Sequence, residues 1–215
     1  NEKKSIATSF DKNSKSENIF LKYTVDKIKF NFSFIDRYKS TPTVASEISN
    51  DISISTSYDY NFSDKNFIQP FDFFNFIPVI GKQISETRLY WSPENFSTSL
   101  NLSEHNKIST QRTGSITPTY SLNLDRKYKL NYRVTKNIKF SFQKDINSNY
   151  DDIYLPDGEQ LKSNISNVFS GFFNNGQESF GLIKSKSEGF NINFIPDFMD
   201  WLNPNLKYSS SYSWA

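Results

Sequence analysis

The chain contains no cysteine and a single histidine, His105. Disulfide frameworks, thiol catalysis and nearly every zinc-site pattern are thereby excluded. Glycine is scarce as well, 7 in 215 residues, and no Gly-rich loop could cradle a phosphate, so nucleotide chemistry has no foothold. No apolar run approaches the ~20 residues of a membrane helix, so a bilayer could be crossed only by strands. Charge of one sign is also missing: 25 basic against 23 acidic residues leave +2, too weak a field to gather nucleic acid or an acidic substrate. The opening Asn1-Glu2-Lys3-Lys4 has neither a start methionine nor a signal peptide and reads as an internal fragment or a trimmed chain.

Apolar residues are few, 36% with a mean hydropathy of -0.63, a composition shared with disordered chains. Disordered chains are poor in aromatics, however, and this one carries 21 Phe, 12 Tyr and 3 Trp. Large aromatics in a polar chain suit a sheet with one wet and one apolar face.

Period-two alternation, the mark of a strand, recurs along most of the length. Ile28, Phe30, Phe32 and Phe34 alternate with Lys29, Asn31 and Ser33. Ile52, Ile54, Tyr58, Tyr60 and Phe62 alternate with serines, Asp59 and Asn61, and the same pattern returns at Phe96–Ser103 and Leu206–Trp214. In the longest run, Ile116 to Phe142, the apolar residues keep to even positions. Three-residue hairpin loops preserve parity, so turns are predicted at Asp125-Arg126-Lys127 and Thr135-Lys136-Asn137; the rival is a single strand through 116–134. The expected fold is all-β, an antiparallel meander forming part of a large transmembrane β-barrel with short interfacial helical or loop segments. Residues 1–18 are expected to be a flexible N-terminal segment and 19–215 the barrel sector, loop-rich at 64–83, 147–163 and 195–205.

Two aromatic, Pro-interrupted stretches, Phe67–Ile80 and Phe194–Pro204, break the alternation and are not ladder strands. In the second, Phe198, Trp201 and Leu202 have the i, i+3, i+4 spacing of one helical turn after Pro196. Both could lie at a membrane boundary, or could plug a soluble core.

From alternation alone, Phe30, Phe32, Ile52, Ile54, Leu100, Leu122, Leu130 and Phe140 are expected to face lipid, and Lys129, Asn131, Arg133 and Lys139 a wet lumen. Tyr90, Trp91, Trp201, Tyr212 and Trp214 are the expected interfacial aromatics. No catalytic, cofactor or metal residue is assigned. His105 has no convergent partners in the sequence and reads as a loop or surface histidine; the acidic residues Asp151, Asp152, Asp157 and Glu159 miss the calcium-loop spacing. Lysines on one face and aromatics on the other are the wrong arrangement for a base-stacking platform, so nucleic acid is not an expected partner.

Several ordered patterns resemble one family. Tyr38-Lys39-Ser40-Thr41-Pro42, Ser55-Thr56-Ser57-Tyr58-Asp59-Tyr60-Asn61-Phe62-Ser63, Leu89-Tyr90-Trp91-Ser92-Pro93-Glu94-Asn95-Phe96-Ser97 and Trp201–Trp214 resemble, in that order, the SprA family, the outer-membrane translocon of type IX secretion and gliding motility. The resemblance spans most of residues 20–214. It implies a piece of a very large barrel exporting folded proteins to the cell surface in Bacteroidota, without catalysis or cofactor. The implied partners are outer-membrane lipid, the remainder of a larger barrel chain, an accessory barrel, a periplasmic plug and secreted cargo. A self-contained small outer-membrane barrel and a soluble β-sandwich surface module remain open beside it, and an enzyme is disfavoured by the lack of any acid, base or nucleophile set.

Overall fold

Alternating residues become a single broad sheet. The computed structural model describes residues 1–12, 16–76, 85–150, 163–173, 180–195 and 204–215. Its strands are β1 (Glu2–Asp11), β2 (Ile28–Lys39), β3 (Val44–Asn61), β4 (Phe67–Ile68), β5 (Leu89–Tyr90), β6 (Asn95–Gln111), β7 (Ile116–Arg133), β8 (Ile138–Asn149), β9 (Leu182–Phe194) and β10 (Leu206–Trp214). Among the described residues two short helices accompany them, α1 (Ile19–Tyr23) and α2 (Ile165–Phe173). Strands dominate the described residues, which settles the all-β class. Eight of them form one antiparallel sheet in the order β1-β2-β3-β6-β7-β8-β9-β10, a meander in which β4 and β5 pair separately. β1 and β10 are each paired on one side only, so the described sheet is open and no closed barrel is formed.

The strands expected around 28–34, 52–62, 96–103 and 206–214 are present. The turn at Thr135-Lys136-Asn137 is present too: Val134 N–H donates to Ile138 O (3.0 Å), and Thr135 Oγ1 accepts from the Asn137 and Ile138 N–H groups (3.2 and 3.1 Å). The turn at Asp125-Arg126-Lys127 is not. β7 runs unbroken through it, pairing with both neighbours, and a single strand keeps parity without any turn. The expected flexible N-terminus is corrected as well, because β1 pairs with β2 from Glu2↔Tyr38 to Asp11↔Lys29. Only Ile6 and Phe10 mark its apolar alternation, too sparse a signal beside four charged residues.

Of the expected loop regions, 147–163 is entered by β8 as far as Asn149, after which Tyr150 N–H donates to Leu122 O (2.9 Å). Region 64–83 includes the two-residue strand β4, paired with β5, and a 3-10 turn at Asp72–Phe76. The helical turn predicted after Pro196, with Trp201, lies outside the described residues. Strand β9 has no clear signature in the sequence, because Lys184–Gly189 carries no apolar residue at alternate positions.

Proline within a central strand removes a ladder hydrogen bond. Pro118 is accommodated because the β7–β8 ladder begins only at Asn123, so its position lies outside that ladder. The β1–β2 connection is clasped by Asp26, whose carboxylate accepts from Lys12 Nζ (2.6 Å), Ser16 N–H (2.6 Å) and Ser16 Oγ (2.9 Å). The Lys12 ammonium, then the Ser16 N–H, hold its pKa down at about 2 from 3.8. A depressed carboxyl stabilises above its unfolded value, so the clasp contributes fully above pH 3.8 and is lost as pH falls from there through about 2.

Candidate functional site: a wall with two unlike faces

Antiparallel register lines side chains into transverse rows across the sheet. On the odd-numbered face one row reads Asp11, Lys29, Ser57, Ser99, Lys127, Asp145, Ser187 and Ser213, crossing all eight strands. The adjacent row reads Asp59, Ser97, Lys129, Gln143, Gly189 and Ser211. Short hydroxyl side chains between long charged ones leave a hollow of about 430 Å³, floored by Ser57, Ser97 and Ser99. Further hollows of about 280 and 250 Å³ lie beside Asn31–Ser53 and Arg37–Glu47, on the same polar face.

The even-numbered face is apolar but divided. At its middle, Leu102, Leu122 and Leu124 are fully buried and Ile54 nearly so, in one cluster with Tyr150, Ile165 and Val168. Helix α2 therefore lies over this face, with Ile165 and Val168 inward and Ser166, Asn167, Phe169 and Ser170 outward. Two ionic side chains, Glu104 and Arg126, are buried on this apolar face. Glu104 accepts from the Asn164 N–H at the start of α2 (2.7 Å) and from the Tyr120 hydroxyl (3.0 Å), which itself accepts from Asn164 Nδ2 (3.1 Å). Arg126 donates to Ser148 Oγ (2.8 Å) and stacks on Phe180 (4.9 Å), beyond the end of α2. The Glu104 carboxylate at the start of α2 also suits the helix dipole.

This cover corrects two assignments. Ile54 and Leu122, expected to face lipid, face protein, and Ile52, Leu100, Phe30 and Phe32 are half-buried against the same cluster. Leu130 and Phe140 lie beyond it; Phe140 contacts Tyr132 (5.2 Å) and Phe190 (6.1 Å) in a separate aromatic belt. Of the residues expected to face a lumen, Lys129 and Lys139 are on the polar face and Lys129 lines the large hollow. Asn131 takes the Glu94 N–H on its carbonyl (2.9 Å). Arg133 instead binds Asp64 (2.6 Å) and stacks on Tyr90 (4.2 Å), tying the β3–β6 connection to the sheet. Tyr90 is thus half-buried in that connection, whereas Trp91, Tyr212 and Trp214 are exposed.

His105 is in mid-strand, not in a loop. Its Nδ1 lies 2.5 Å from Asp51 Oδ1, and Asp51 also pairs with Arg37. The histidine thus joins a polar row on this face, with the Glu47–Lys107 ion pair beside it. Among the described residues no cluster of His, Asp and Glu could hold a metal. Glu104 and Arg126 are the buried ionic positions that sequence reasoning misses; the signal available is a charge at an even position within an alternating run. Compared with known protein families and with curated proteins, the chain matches none.

Proposed function

We propose that this chain is a structural sector of the wall of an outer-membrane protein-translocating β-barrel, of the kind that exports folded cargo in type IX secretion and gliding motility. One observation carries the reading: eight antiparallel strands follow one another as a meander with unlike faces and an unpaired edge on either side. A free edge in hydrocarbon leaves backbone groups unsatisfied at several kcal/mol each, so such a wall is complete only when further strands close it. β2, β8, β9 and β10 are 12, 12, 13 and 9 residues long, enough to cross a bilayer at the usual tilt. β6 and β7 are longer, and their hairpin extends beyond β8 as extramembrane hairpins of such barrels do. The polar rows form the wet side and the aromatic belt around Phe96, Leu130, Tyr132, Phe140, Phe142 and Phe190 the lipid side.

The cover provided by α2 favours a second reading, a soluble sheet module whose apolar face is shielded by protein. One helix covers only the middle of the face. The belt beyond it would then need another layer.

The absence of native cysteine makes single-site labelling clean. Cysteines placed one at a time at Lys129, Leu130, Asn131 and Tyr132, spin-labelled in lipid vesicles, are expected to show water, lipid, water, lipid access in turn. Water access at all four sites would leave the soluble reading standing.

A further inference from the structure

We propose that the hollow on the polar face between Lys29 and Lys127 is a binding site for an anionic saccharide. The inference does not depend on the membrane reading, because the site is defined by side chains of the sheet alone.

Its recognition groups are unmatched among the described residues. No described carboxylate lies within ion-pair distance of Lys127 or Lys129, although Asp145 is in register with Lys127. Asp145 turns one oxygen to Gln143 Nε2 (2.8 Å) and leaves Oδ1 buried with no hydrogen-bond partner. Buried polar atoms are nearly always satisfied, so an orphan acceptor at the edge of a hollow marks a place for an incoming donor. Lys29 is held back toward Asp11 at 3.2 Å, on the side away from the hollow, and Asp59 is held by Asn95 Nδ2 at 2.8 Å. Lys127 and Lys129, both on β7, are therefore the lining cations without a carboxylate partner, and three serines line the hollow beside them.

The ligand must accept from two ammonium groups, donate to a carboxylate oxygen and exchange hydrogen bonds with serines. An acidic sugar does all three. A peptide segment would meet no large apolar side chain among the odd-numbered residues lining the hollow, and a nucleic acid would find no aromatic ring among them to stack on. The volume, about 430 Å³, falls within the range of small-ligand sites. Gly189 stands next in register to Gln143 with open space around it, which leaves the hollow continuous toward β9.

The test is calorimetric titration of the full chain in detergent micelles with digalacturonate, and with cellobiose and acetate as its neutral-sugar and bare-anion halves. Digalacturonate is expected to bind at least tenfold more tightly than either half. The double variant Lys127→Gln/Lys129→Gln is expected to lose at least tenfold, and Asp145→Ala several-fold, while Lys139→Gln, outside the hollow on the same face, leaves binding unchanged. Equal binding of acetate would reduce the hollow to a simple anion site and overturn the proposal. So would equal binding of cellobiose, or no binding at all by a chain whose circular dichroism shows the sheet intact. Each of these three failures is independent of the lipid-access pattern that tests the wall itself.

Discussion

Leu124→Ala will destabilise the sheet by about 2–5 kcal/mol, the range for emptying a leucine site that cannot collapse. Leu124 is 0% exposed and lies between Leu102 and the row containing Leu122, under the Tyr150, Ile165 and Val168 side chains. Both strands flanking it are held in long ladders, so the backbone cannot move in to fill the void. Urea unfolding in micelles, followed by circular dichroism, measures the loss. Leu130→Ala, on the same face of the same strand but beyond the helix, is the matched control and should cost much less, because detergent or lipid replaces the lost contacts. Equal losses at the two positions would mean that α2 does not cover the sheet.

Glu104→Ala is the second large effect. It removes the acceptor of the Asn164 N–H and the Tyr120 hydroxyl at once, and each orphaned donor costs about 1–3 kcal/mol. The cost falls on one element: α2 should lift from the sheet while the ladders remain. Hydrogen exchange would register this as lost protection at Val168, whose N–H donates to Asn164 O, with β6 and β7 protection retained. Glu104→Gln keeps an acceptor oxygen and should restore most of the protection, whereas a role for Glu104 in the ladder itself would expose both α2 and β6.

Alternation makes the sheet legible in the sequence, because a surface with unlike faces writes its period directly into the order of residues. Phe30 through Phe34 and Leu100 through Ser103 show this plainly. The same logic misleads at Asp125-Arg126-Lys127, where a charged triplet resembles a turn. Arg126 instead belongs to the covered face, its guanidinium stacked on Phe180, a residue 54 positions later. Nothing local in the sequence announces such a partner. β1 is hidden for a related reason: an edge strand lies against one neighbour only, so Lys3, Lys4 and Ser9 meet little demand for apolarity. The hollow is half legible. Parity alone puts Lys129 on the wet face, but its convergence with Lys127, Asp145 and three serines is a product of register across four strands.

The central claim, that these strands are part of a larger wall in an outer membrane, is tested most directly by fractionating the source cell and probing with an antibody raised against residues 147–163. The account predicts a band in the outer-membrane fraction far larger than the 25.0 kDa of this chain. A band near that mass in the same fraction would assign a small self-contained barrel instead, and a band in the soluble fraction would contradict the membrane reading outright.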